Sequence, residues 1–196
     1  MKVDDDFAKS LGLDSLAKLR EAVKDRLARE HVAMSRQKLK RALLDELDSR
    51  HQFEPPPSLV EEEFDRVWKT VLIEMENEKK TFADEGTTEE KAKAEYRAIA
   101  ERRVRLALVL AEIGDRSGIA VTDDELNRAV TEHARQFTGH EQRVWEYYQR
   151  NPQAIAALRS PILEEKVVDY LLELAVVTEK KVEREELFKE DESTTA

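Results

Sequence analysis

Residues 104–116, VRLALVLAEIGDR, form a nearly unbroken apolar run inside a chain that is 39% charged. The run is too short to cross a membrane, which takes roughly 20 consecutive apolar residues. Helix-start signals precede it, and the turn residues that bound strands are scarce, with five glycines and five prolines in the chain. It therefore reads as the buried centre of a long helix, around which polar helices have to pack.

The chain has 33 lysines and arginines against 43 acids, a net charge of −10. That balance argues against general nucleic-acid binding, which calls for a basic footprint. Cysteine is absent, which excludes disulfides, thiolate metal sites and a cysteine nucleophile. The N-terminus opens on Asp4-Asp5-Asp6 without a signal-peptide pattern, so a soluble, cytoplasmic protein is expected. With aromatics at only 6%, an all-α chain of extended shape and small local cores is expected.

Helical spacing organises most of the sequence. Asp14 is the expected cap of a helix whose apolar stripe is Leu16, Leu19, Val23, Leu27, Met34, Leu39, Leu43 and Leu47. Continuous to residue 50, it would measure on the order of 55 Å at 1.5 Å per residue. Pro55, Pro56 and Pro57 end it, and Ser58 with Glu61 reads as a capping box for the next helix. That helix carries Phe64, Trp68, Val71 and Met75, with Phe82 before Gly86. Thr87 with Glu90 opens the helix holding the apolar run, Gly118 ends it, and Thr122 with Glu125 caps a short helix through Phe137. After Gly139 a further helix holds Val144, Trp145, Tyr147 and Tyr148. Asn151-Pro152 begins the next helix, within which Pro161 serves as an initiating or kinking residue. Val176, Val177 and Val182 leave room for one short strand, and residues 183–196 read as an acidic, frayed tail.

Catalytic patterns are missing: no phosphate-binding glycine loop, nucleophile elbow or paired metal-binding histidines occur, and no enzyme activity, cofactor or metal is expected. His133 and His140 stand seven apart, but Gly139 interrupts the helix between them, and a solvated pair is the simpler reading. The acidic triplets Glu61-Glu62-Glu63 and Asp123-Asp124-Glu125 fall in expected first helical turns, where the exposed N–H groups favour negative charge. Between Leu16 and Arg41, nine basic residues face three acids, a local net charge of +6. A solvated helix face accounts for that stretch, and a contact for acidic partners, ribosomal RNA or acidic polypeptide segments, is the sharper alternative. Two aromatic groups stand out: Phe64, Trp68, Val71, Met75 and Phe82, and then Phe137, Val144, Trp145, Tyr147 and Tyr148. Core packing explains any one of them, whereas exposed together they would form an adaptable interaction surface.

Several blocks carry a resemblance to one family. RRVRLALVLAEIG at 102–114 with IAVTDDEL at 119–126 resembles the C-terminal domain of bacterial trigger factor. So do DDFAKSLG at 5–12, FEPPPSLVEEEF at 53–64, EYYQRNP at 146–152 and EEKVVDYLLELAVVTEK at 164–180, all in the family's order. The resemblance covers about residue 4 to about residue 188 and implies an elongated all-helical chaperone domain over 1–182. Two arms, 51–86 and 120–150, would project from its body. It implies that Phe137, Val144 and Tyr147 belong to a surface for unfolded polypeptides; amphipathicity adds Phe64, Trp68, Val71, Met75 and Phe82 facing the same groove, with Tyr148 beside Tyr147. The family's ribosome-docking Gly-Phe-Arg-Xaa-Gly-Lys loop and its FKBP-like isomerase domain do not occur in these residues, so neither activity is carried over. Ribosome contact would come only through the missing part, and Met1-Lys2 is expected to be an added start. The resemblance thus implies an ATP-independent holdase for unfolded or nascent polypeptides, with no membrane partner. The alternative is a helical scaffold for one folded partner or for self-association. A periplasmic chaperone of related architecture is a third reading, against which the missing export signal counts.

Overall fold

A computed structural model describes residues 3–189, which form eight helices and, among those residues, no strand. The fold is all-α. In chain order the helices are α1 (Asp5–Ser10), α2 (Leu16–Arg50), α3 (Pro57–Glu78), α4 (Glu89–Arg116), α5 (Asp123–Arg135), α6 (Glu141–Arg150), α7 (Pro152–Leu174) and α8 (Arg184–Phe188). Two compact units emerge, one made of the segments up to Leu43 and from Glu179, the other of Leu44–Thr178.

In the first unit, α1 is a helix that periodicity did not announce. Six residues are too few for a readable stripe, and its start is set by the Asp4 carboxylate, which accepts from the Phe7 N–H at 3.1 Å. The expected Asp14 cap moves one residue on. Ser15 Oγ accepts from the Lys18 N–H at 3.4 Å and its carbonyl from the Leu19 N–H, while Asp14 pairs with Lys18 Nζ at 2.7 Å. From there α2 runs unbroken for 35 residues, none of them buried. Part of the expected tail is ordered as α8. The Phe188 ring meets the His31 ring edge-on at 5.6 Å, and Lys38 Nζ donates to the Glu186 and Lys189 carbonyls. Residues 190–196 of that tail, like Met1-Lys2, lie outside the described residues. The strand expected around Val176–Val182 is not formed: residues 176–183 have no regular structure, and Val176 is 98% exposed with no second strand to pair it.

The second unit is built on α4. Its apolar run supplies Val104, Leu106, Val109 and Leu110 to the buried interior, as the sequence pattern requires. On one side α4 pairs with α3, where Val60, Ala100 and Val104 form a small core flanked by Phe64 and Leu108. On the other it packs against α7 through Gly114, where an added methyl group would lie 3.3 Å from Val167 Cγ2 and 3.5 Å from Leu163 Cδ1. Glycine is there because two helices meet closely. α7 in turn holds α5 and α6, with Val167 and Val168 completely buried. Pro161 sits inside α7, which continues through it to Leu174.

Arg105 within the apolar run and Arg102 just before it fasten the α2 end. Arg105 Nη1 donates to Asp48 at 2.7 Å and its Nε to the Phe53 carbonyl at 3.1 Å, while Arg102 pairs with Asp45. A half-buried guanidinium needs such acceptors to offset its lost hydration. Three expected caps meet different fates. Thr122 and Glu125 form the reciprocal capping box. The cap of α4 is Thr88, not Thr87; its side chain accepts from the Lys91 N–H. At α3 no box forms, because Pro56 and Pro57 already hold the backbone in a helix-entry geometry and Ser58 lies inside the helix. Glu61 and Glu63 therefore stand beyond the first turn and reach across to Arg97 and Arg103 of α4.

Candidate functional site

Most of the first aromatic group lies inside the α3–α4 hairpin. Trp68 stacks on Phe64 at 5.9 Å and on Phe82 at 5.5 Å, and the Tyr96 ring of α4 meets it edge-on at 6.0 Å. Lys93 and Arg97 of α4 lie over the Trp68 and Phe64 rings, at 5.4 and 5.5 Å, where a cation is attracted to the ring face. Phe64, Trp68, Val71, Met75 and Phe82 are all half-buried. The loop that brings Phe82 back is held by Asp84, which accepts from the Thr81 N–H and hydroxyl and whose carboxyl is thereby kept below the usual carboxylate range. Also on α3, Leu72 and Ile73 are exposed at 44% and 49%. Leu72 belongs to the apolar stripe read from the sequence and Ile73 lies off it, and neither is among the residues expected to face the groove; their apolar character was the available signal.

The second group is assembled by α5 and α6. Val130 and Ala134 bury the α5 face, while Phe137 follows the helix end and Tyr147 projects from α6. Phe137 is 46% exposed and Tyr147 56%, Val144 is half-buried, and Tyr148 is buried at 8%. Tyr148 packs within the pair: its hydroxyl is 3.0 Å from His133 Nδ1, and its ring meets both His133 and Tyr147 edge-on. His133, which sequence reasoning set aside, also meets the Phe137 ring at 5.2 Å. It stands one helical turn before Phe137, so the i, i+4 spacing was the signal that could have found it. His140 opens α6 and makes no side-chain cap bond, so the two histidines are not brought together as a pair.

Lys166 of α7 anchors the pair through its ammonium group. Lys166 Nζ donates to both Glu125 carboxylate oxygens, at 2.8 and 2.9 Å, and to the Ala120 carbonyl at 2.6 Å. Lys166, then the Thr122 N–H and hydroxyl, hold the Glu125 carboxyl down from 4.5 to about 2. Among the described residues no cluster of three or more histidines and acids could hold a metal ion, and no helix is long and apolar enough to cross a membrane.

Fold and surface together define an all-α chain with two aromatic-bearing helix pairs and no assembled catalytic group among the described residues. Residues 15–173 match the family model for the bacterial trigger factor C-terminus, so the chain belongs to that family. It is 60% identical over its whole length to the trigger factor of Nitrobacter winogradskyi and 61% identical to that of Azorhizobium caulinodans. It spans 43% and 44% of those two proteins, less than half of each. None of these likenesses is to an enzyme family in the matched part. The fold is also that of solved trigger factor structures. One, from a study of domains of the Thermotoga maritima protein, has a TM-score of 0.53 at 23% identity, over 70% of this chain and 81% of that one. A second, described as a chaperone with promiscuous substrate recognition, gives 0.52 at 19% identity, over 88% of this chain and 43% of its own.

Proposed function

We propose that this chain is an ATP-independent holding module for unfolded and nascent polypeptides, using apolar side chains of segments 51–86 and 120–150 as its arms. The observation that carries this reading is the exposed aromatic pair Phe137 and Tyr147, beside the buried apolar residues Leu126, Val130 and Tyr148 of α5 and α6. Large aromatic side chains left in water beside a satisfied core suit intermittent contacts with many sequences. Membership of the trigger factor family supports the reading, as does likeness to a chaperone described as promiscuous in substrate recognition.

Each contact is weak by construction. Covering apolar surface is worth roughly 25 cal/mol per Å², and ordering a disordered client opposes it. Reversible binding on the order of micromolar is the expected balance. Surrounding charge keeps the loaded module in solution. The test is aggregation of two unrelated denatured proteins diluted into buffer without ATP, with and without the chain. Protection of both at near-stoichiometric amounts is expected. Replacing Phe137 and Tyr147 together by serine should remove most of that protection and leave the circular dichroism spectrum unchanged, since both rings are exposed. Full protection by this variant would sink the assignment to the second segment. Protection of neither client by the folded chain would leave a scaffold for one specific partner as the better reading.

A further inference from the structure

The basic stretch of α2 takes no part in the arms, yet with α1 it walls an open groove of about 700 Å³. Phe7 and Leu11 form one side, Leu19, Val23 and Leu27 the other. Leu11, Val23 and Leu27 are exposed at 56%, 47% and 37%. A cleft of this size lies within the range of about 300–1,000 Å³ usual for ligand sites. Arg20 and Lys24, one helical turn apart, also line it. Neighbouring cations are satisfied locally, Lys18 by Asp14 at 2.7 Å and Arg26 by Glu30 at 2.9 Å, whereas Arg20 and Lys24 have no ion pair among the described residues. At the far end His31 lines the groove, and its Nε2 is buried without a hydrogen-bond partner. A buried ring nitrogen left unpaired is costly, and a ligand group that reached it would relieve that cost.

We infer that this groove is a second polypeptide site, separate from the arms, selective for apolar segments that carry acidic side chains. Apolar residues of the segment would cover Leu19, Val23 and Leu27, and its carboxylates would meet Arg20 and Lys24. The charge of the groove favours this occupant over a second copy of a chain whose own net charge there is also positive: nine basic residues face three acids between Leu16 and Arg41. The inference rests on the reading of this chain as a polypeptide-holding module, and it adds a sequence preference that the arms do not supply.

The test is fluorescence anisotropy of two labelled twelve-residue peptides with the same leucine pattern, one carrying two aspartates and the other two lysines at matched positions. The acidic peptide is expected to bind more tightly. Leu27→Asp should weaken it about tenfold or more, since a buried leucine contact is replaced by a carboxylate beside a carboxylate. Each exposed charge contact changes affinity about two- to fivefold, so Arg20→Glu with Lys24→Glu should invert the preference in favour of the lysine peptide. Serine at Phe137 and Tyr147 should lower the affinity of both peptides alike, and the preference for the acidic peptide should persist in that background, which separates failure of this site from failure of the arm assignment. Equal binding of the two peptides, insensitivity to both groove variants, or sedimentation showing a dimer that Leu27→Asp dissociates would each overturn the inference.

Discussion

Glu125 joins two jobs in one carboxylate: it closes the Thr122 capping box, and it receives Lys166 and so ties α5 to α7. Because its folded value of about 2 lies below the ordinary 4.5, its contribution is complete above pH 4.5 and is lost as pH falls from there toward 2. Glu125→Gln should therefore lower the melting temperature at pH 7, and the gap from the parent chain should narrow by pH 3. A gap that stays constant from pH 7 to pH 3 would show that the ionised carboxylate contributes nothing there. Gly114 acts through the absence of a side chain. Gly114→Leu should destabilise the second unit by about 1–3 kcal/mol in chemical denaturation, the usual cost of overpacking. Alanine is the informative control, because its gain of about 1 kcal/mol in helix propensity opposes a contact already at 3.3 Å from Val167.

At the scale of elements, α3 and α4 are joined by a stack of rings rather than by a large aliphatic core. Only Val60 of α3 is buried, and Trp68 touches Phe64, Phe82 and Tyr96 at once. Trp68→Ala should cost about 2–3 kcal/mol, below the range of about 3–5 for fully buried aromatics because this ring is half-buried. Near-ultraviolet circular dichroism would lose the tryptophan signature while far-ultraviolet helicity persists. The same variant distinguishes packing from client contact: reduced aggregation protection at temperatures where the hairpin remains folded would assign the ring to the client surface as well. In the α5–α6 pair the division is sharper. Tyr148 is bonded to His133 inside, while Tyr147 next to it faces out, since neighbours on a helix point about 100° apart.

For the molecule as a whole, the distribution of burial sets the order of opening. The first unit contributes one buried apolar residue among those described, Ala8, and α2 contributes none, whereas α4 and α7 together bury Val104, Leu106, Val109, Leu110, Val167 and Val168. Local opening is easiest where few apolar contacts are lost. Hydrogen exchange should accordingly be slowest across residues 104–114 and 163–168 and faster in residues 16–31 of α2, despite their continuous helix. Equal protection in the two regions would contradict the burial pattern. Low local stability also suits the first unit to a groove that must admit a polypeptide segment.

Reading the chain without its structure reached the long helices, because spacing of three and four residues is a local property that any amphipathic helix must satisfy. It reached the Thr122–Glu125 box for the same reason: both partners lie within one turn. The family resemblance was equally legible, carried by blocks in a fixed order. Long-range geometry decided the rest. Ser58 and Glu61 carried a valid capping pattern, but the preceding prolines start the helix ahead of Ser58 and Arg97 of α4 takes Glu61 as its partner. Five half-buried side chains of the first aromatic group look alike in sequence whether they face water or a neighbouring helix, and only the position of Tyr96, Lys93 and Arg97 on α4 shows what they meet. Sequence by itself thus determined the helices and the composition of each stripe, since these depend on local periodicity and hydrophobicity. Tertiary structure alone decided which stripe residues remain exposed, because exposure depends on which distant segment arrives to cover them.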